Sequence, residues 1–151
     1  MIKRLCKSLL LSLLIGSLPA WASCWDDVAR RYDIEPELLQ AIAAVESGYQ
    51  AQALNTGNSD GSRDIGLMQI NSMHLPRLLK QGITQERLLS EPCLSIEVGA
   101  SILAEFIQRF GYNWTAIGSY NAGAAPEREA LRLRYARKIW ARYEVLVAQR
   151  H

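Results

Sequence analysis

Three short stretches carry side chains whose types and spacing could do chemistry: Glu46, the run Asp64-Ile65-Gly66-Leu67-Met68-Gln69-Ile70-Asn71, and Tyr120-Asn121-Ala122-Gly123. Glu46 follows Leu39 and Ile42 at helical spacing. It therefore continues an apolar stripe, whereas most glutamates of an amphipathic helix lie on the opposite face. It also stands in the last turn before Gly48, where the negative end of the helix dipole opposes a carboxylate. Desolvation and the dipole both favour the protonated form and raise the pKa. A carboxyl that keeps its proton near neutral pH is what protonating a glycosidic oxygen requires. The position equally suits a helix-end glutamate turned to solvent, or a buried one satisfied by backbone donors. In the second run, glycine allows backbone to lie close to a ligand while Gln69 and Asn71 present hydrogen bonds. Neutral amides suit sugar hydroxyls and N-acetyl groups, although the run also reads as a core segment with two capping amides. In the third, Tyr120 can pack on a sugar face and still offer a hydroxyl. Asn121 also reads as an ordinary helix C-cap.

The elements that must position these groups are mainly helical. Residues 25–32 read as a short first helix. Pro36 then opens a second that runs through Leu39, Ile42, Ala43 and Glu46 and stops at Gly48. Residues 50–64, rich in Asn, Gly, Ser and Asp, read as a loop. A short helix after Asn71 carries Leu75, Leu78 and Leu79. Pro92 opens a longer one with the stripe Ile96, Gly99, Leu103, Phe106, Ile107 and Phe110, ending at Gly111. A further helix covers residues 114–120 and breaks at Asn121-Ala122-Gly123. The last, over residues 127–147, places Leu131, Tyr135, Ile139, Tyr143 and Leu146 on one face. Strand signal is confined to a possible short piece at residues 64–71. The expected fold is one mainly α domain with, at most, that small β element.

Bulk properties narrow the function further. With 49% hydrophobic and 21% charged residues, the 151-residue chain has the composition of a single compact domain. Lys3, Arg4 and Lys7 precede an uncharged apolar run at residues 8–18, then Pro19 and Ala20-Trp21-Ala22. This is the layout of a secretory signal peptide over residues 1–22, cleaved after Ala22, leaving a domain at 23–151. The apolar run falls short of the roughly 20 residues of a membrane-spanning helix, so no stable membrane anchor and a periplasmic location are expected. Residues 1–22 hold three bases and no acids, so their removal takes the formal charge from +2 to −1 and withdraws the main support for nucleic-acid binding. Arg128, Arg132, Arg134, Arg137, Lys138 and Arg142 then read as the solvated face of an amphipathic helix. Cys6 leaves with the signal, and Cys24 and Cys93 remain as an even pair in an exported chain, expected to form one disulfide worth roughly 4 kcal/mol in the loop-entropy description. The alternative, a lipidated Cys24, is poorly served by the preceding Trp21-Ala22-Ser23. His74 and His151 stand apart from other ligand-type residues, so neither a metal nor a cofactor is expected.

Taken together, Glu46-Ser47, Gly66-Leu67-Met68-Gln69-Ile70-Asn71 and Tyr120-Asn121-Ala122-Gly123 closely resemble, in this order, the signature of soluble lytic transglycosylase (SLT) catalytic domains, which are lysozyme-like. Tyr135-Ala136-Arg137-Lys138-Ile139 matches the last motif of that family more loosely. The resemblance covers residues 24–140. It implies a lysozyme-like fold and one catalytic acid/base, Glu46, that cleaves the bond between N-acetylmuramic acid and N-acetylglucosamine in peptidoglycan glycan strands and leaves a 1,6-anhydro ring. It also implies that Ser47 orients the acid, that Met68, Gln69, Tyr120 and Asn121 line the glycan groove, and that Tyr135 lies close to the acid. Two departures stand out. Gly118 occupies a position usually held by alanine, a change expected to matter little, and the loop 55–64 is more polar than in many members. In that polarity the chain is similar to small stand-alone members that accompany type IV secretion, conjugation, type III secretion or pilus machines, whose components are then candidate partners. Most glycosidases use two carboxylates. Asp60 and Asp64 read as residues that shape the loop. Other readings stay open: a lysozyme that hydrolyses the same bond with water, a non-catalytic glycan-binding or assembly protein, and a disulfide-stapled helical effector.

Overall fold

The computed structural model describes residues 23–150; the expected signal segment 1–22 and His151 lie outside the described residues. Among the described residues, seven α-helices and a small sheet succeed one another as α1 (Cys24–Tyr32), α2 (Pro36–Ser47), β1 (Leu54–Asn55), β2 (Asp64–Ile65), β3 (Ile70–Asn71), α3 (Leu75–Leu79), α4 (Gln85–Ser90), α5 (Pro92–Phe110), α6 (Trp114–Ala122) and α7 (Glu129–Gln149). Short 3-10 turns at Ser72–His74 and Pro126–Arg128 lead into α3 and α7. The fold is mainly α, as the helical periodicity requires.

Helix α2 forms the axis of the core. Leu39, Ala41, Ile42 and Ala43 are fully buried, so the helix is apolar on more than one side. Burying Leu39 and Ile42 each contributes roughly 1.5–3 kcal/mol of transfer free energy. Helix α7 packs across α2 and α6, and α5 packs against α6 and α1. On α5 the expected stripe faces inward at Ile96, Gly99 and Leu103, while Phe106, Ile107 and Phe110 are half-buried. On α7 the stripe holds at Tyr135, Ile139, Tyr143 and Leu146 and fails at its first position: Leu131 is 37% exposed, whereas Arg132 is 8% exposed and starts the buried face. Arg132 therefore does not belong to the solvated basic face on which its neighbours Arg134 and Arg137 lie.

Two elements lie outside the expected pattern. Helix α4 is a six-residue helix whose N-cap Thr84 accepts from the Arg87 N–H, and β1 comes from within the polar loop. The strands form an antiparallel meander in the order β1-β2-β3, pairing Leu54 with Ile65, Asn55 with Asp64, Asp64 with Asn71 and Ile65 with Ile70. A disulfide joins Cys24 to Cys93, with Cα atoms 5.6 Å apart, and so ties the start of α1 to the start of α5. The same pair of helices is held by Glu97, which accepts from the Tyr32 hydroxyl at 2.8 Å and pairs with Arg31. No helix among the described residues is long and apolar enough to cross a membrane.

Candidate active site

The C-terminal end of α2, the sheet and the C-terminal end of α6 enclose a cleft of about 700 Å³. Glu46 opens into it from α2. Asn58, Ser62, Asp64, Gln69 and Asn71 form the wall on the sheet side, and Tyr120, Asn121, Gly123, Ala124 and Arg128 form the wall on the α6 side. Ile102 and Phe106 of α5, with Met73 and His74, make its apolar end. A second hollow of about 790 Å³ lies at the opposite end of α2, around Glu35 and Tyr112, and contains none of the motif residues.

Burial is the main influence on Glu46. Desolvation pushes its carboxyl up to about 7, and the charge of Asp64 adds to that; the Tyr135 hydroxyl and Lys138 oppose it. Tyr135 donates to Glu46 Oε1 at 2.5 Å from one turn along the buried face of α7. That bond fixes the carboxyl while leaving Oε2 free of protein hydrogen bonds among the described residues. The acid is thus poised to hold its proton near neutral pH and release it without a large change in free energy, which suits a group that must serve as both acid and base.

The expected site residues divide into those that face the cleft and those that hold it together. Gln69, Tyr120 and Asn121 line it together with Glu46. Gln69 has a left-handed backbone, with φ 49°, and donates from Nε2 to Gly66 O at 2.9 Å and Ala53 O at 3.2 Å, leaving its carbonyl for a ligand. Tyr120 donates to Met68 O at 2.8 Å, so it bridges the two walls. Asn121 is exposed within α6, which ends at Gly123; the C-cap role falls to the glycine. Asn71 reaches the cleft edge with its side chain already committed: it donates to Ser62 Oγ and Asp64 Oδ1, both at 2.9 Å, and accepts from Met73 N. Ser47 makes no hydrogen bond to Glu46. Its hydroxyl donates to Leu67 O at 2.7 Å and lies 3.2 Å from Ala43 O, which ties the end of α2 to the turn after β2. Met68 is fully buried, against Gly99, instead of lining the groove; its N–H donates to Ser95 Oγ at 3.1 Å.

Gly66 makes that turn possible. It has φ +75°, and a Cβ there would lie 2.5 Å from the Leu88 carbonyl oxygen, so α4 closes directly on it. The cleft also contains residues outside the family motifs. Asp64 is more than a loop former: its carboxylate accepts amide bonds from Asn55 at 3.0 Å, Asn58 at 2.9 Å and Asn71 at 2.9 Å, and it faces the same space as Glu46. The register that pairs Asn55 with Asp64 and Asp64 with Asn71 brings two of these amides to it. His74 is half-buried and held below the usual imidazole range by burial and by Arg77, so it contributes a neutral ring. Among the described residues no group of three or more His, Cys, Asp or Glu is placed to hold a metal ion.

This arrangement can be compared with known proteins. The chain is 51% identical over 127 residues to the invasion protein IagB of Salmonella typhimurium, a match covering 84% of this chain and 79% of that one. It is 45% identical over 128 residues to the protein IpgF of Shigella flexneri, covering 85% and 84%. It is 41% identical over 140 residues to a peptidoglycan-binding-like protein of Escherichia coli O157:H7, covering 88% and 84%. A model of the transglycosylase SLT domain matches residues 23–143, which include every residue that lines the cleft. The chain therefore belongs to the transglycosylase SLT domain family and has its lysozyme-like fold.

Proposed function

We propose that the protein is an exported peptidoglycan lytic transglycosylase that cleaves the β-1,4 bond between N-acetylmuramic acid and N-acetylglucosamine. The observation that carries this reading is the buried carboxyl of Glu46, pushed up to about 7 in a cleft walled by amides and a tyrosine. Protonated Glu46 gives its proton to the glycosidic oxygen as the bond to the muramoyl carbon breaks. The neighbouring N-acetyl oxygen of the substrate shares the positive charge. Glu46, now a carboxylate steadied by the Tyr135 hydroxyl, takes the proton of the muramoyl 6-hydroxyl as its oxygen closes on that carbon. The products are a 1,6-anhydro sugar and a free 4-hydroxyl, and no water is consumed. Gln69, Asn121 and Tyr120, which line the cleft, would hold the sugar rings.

A second reading is hydrolysis of the same bond, and Asp64 favours it, because a second carboxylate facing the cleft is what activation of water requires. Mass spectrometry of digested peptidoglycan separates the two, since anhydro-muropeptides are lighter than reducing-end products by one water. Anhydro products that vanish in Glu46→Gln are expected; reducing ends alone would overturn the transglycosylase reading. Clearing of a cell-wall zymogram that survives Glu46→Gln would remove Glu46 from the chemistry. We place the reaction in the periplasm, with residues 1–22 removed after Ala22. There it would open the wall locally for a secretion, conjugation or pilus apparatus.

A further inference from the structure

Among the described residues, Arg132 and Glu37 are the two buried charged side chains. Glu37 is paired with Arg150. Arg132 has no carboxylate within ion-pair distance among the described residues, and its Nε is buried without a hydrogen-bond partner. A buried guanidinium without a counter-ion is costly, so whatever it holds must repay that cost. What it holds is backbone: Nη1 donates to Ala125 O at 2.7 Å and to Gly123 O at 3.2 Å. These carbonyls follow the C-terminus of α6, where the last carbonyls lack helical partners and the helix dipole is negative, a setting that favours a cation. Gly123 and Ala124 line the cleft beside Tyr120 and Asn121. One turn further along α7, Tyr135 holds Glu46. A single turn of α7 therefore grips both the acid and the opposite rim of the cleft.

Gly118 permits this. A Cβ at that position would lie 2.6 Å from Arg132 O, 2.7 Å from its Cβ and 2.8 Å from its carbonyl carbon. The obstruction is mostly backbone and cannot rotate away. The glycine that stands where alanine is usual is thus required by the close approach of α6 and α7, contrary to the expectation that it matters little.

We propose that Arg132 is a positioning residue for glycan binding, which holds the 123–125 rim at the distance from Glu46 that a glycan strand requires, with Gly118 making its reach possible. The proposal rests on the cleft being the glycan site. The test compares Arg132→Met and Arg132→Lys, in the wild-type chain and in Glu46→Gln, using soluble peptidoglycan glycan fragments. In Arg132→Met, KM is expected to rise about ten-fold with kcat within about two-fold. The alkaline limb of the rate profile should stay in place, since Tyr135 still holds Glu46. Amide hydrogen exchange should accelerate at residues 121–125 and not at residues 36–47. Arg132→Lys, which keeps the charge but lacks the fork, should fall between. An unchanged KM, a loss confined to kcat, or unchanged exchange at the rim overturns the proposal. Should Arg132→Met fail to fold, Gly118→Ala carries the same measurements and is expected to raise KM and rim exchange together. If the wild-type chain gives no anhydro product while Arg132→Met weakens fragment binding to the Glu46→Gln protein about ten-fold, the transglycosylase reading fails and the positioning role stands.

Discussion

Burial of Glu46 has two consequences, one for stability and one for rate. An unperturbed glutamate titrates near 4.5, and in the fold Glu46 does so at about 7. The folded state binds this proton more tightly than the unfolded chain. Its contribution is therefore fully present below about 4.5, is lost as pH rises between the two values, and is level above 7. The gap corresponds to roughly 2–3 kcal/mol once solvent screening at a half-buried site is allowed for. Glu46→Gln keeps the acceptor for Tyr135 and removes the charge, so it should raise the melting temperature by about 5 °C at pH 8 and by little at pH 4. Equal shifts at both pH values would contradict the assignment. For the rate, the acid must be protonated, so kcat/KM should fall above pH about 7. Tyr135→Phe removes a group that stabilises the carboxylate and should move that limb to higher pH. Asp64→Asn removes a charge that destabilises it and should move the limb to lower pH. Shifts in the same direction would show that the two groups do not act through the charge of Glu46. Glu46 was legible in the sequence because a carboxyl on an apolar stripe is a local pattern. Asp64 and Arg132 were not, because their roles depend on contacts made by strand pairing and by the packing of α6 on α7.

Among the elements, the turn between β2 and β3 bears the greatest geometric demand. Gly66 combines a left-handed backbone with a close approach to the Leu88 carbonyl, and its N–H donates to Ala53 O at 2.7 Å. Gly66→Ala meets both penalties and should cost roughly 3 kcal/mol or more, read as a lowered denaturation midpoint in urea. Because Gln69, Ser47 and Tyr120 all bond to backbone within residues 66–68, activity should fall further than the folded fraction does. A variant as stable as the wild type would show that α4 can move aside. The helices that begin at Pro36 and Pro92 were readable because proline at the first turn and a long stripe reinforce each other. Helix α4 and strand β1 were not, since six and two residues cannot carry a period. On α7 the apolar Leu131 misplaced the first position of the expected stripe, while Tyr135, Ile139, Tyr143 and Leu146 followed it. Leu131 lies about 80° round the helix from Ile139, and Arg132 only about 20°. Position on the helix decided which side chain is buried.

Across the whole molecule, the disulfide closes residues 24–93 into a loop that supplies one half of the cleft, and the other half comes from the chain that follows. Glu46, Asp64 and Gln69 fall within residues 24–93, while Tyr120, Asn121, Arg132 and Tyr135 follow them. Neither cysteine lines the cleft, and Cys93 is exposed. The bond therefore acts on the stability of the assembled halves and not on the chemistry between them. Closing a loop of 69 residues removes chain entropy from the unfolded state worth roughly 4 kcal/mol. Reduction should accordingly lower the melting temperature by roughly 10 °C for a domain of this size. The packing of α1 on α5 and the bond from Tyr32 to Glu97 survive reduction, so turnover well below the transition should be retained. The double variant Cys24→Ser, Cys93→Ser should match the reduced protein and no longer respond to reductant. Loss of activity at low temperature with the fold intact would mean that the bond shapes the cleft directly. A melting temperature indifferent to reductant would mean that α1 and α5 hold together without it.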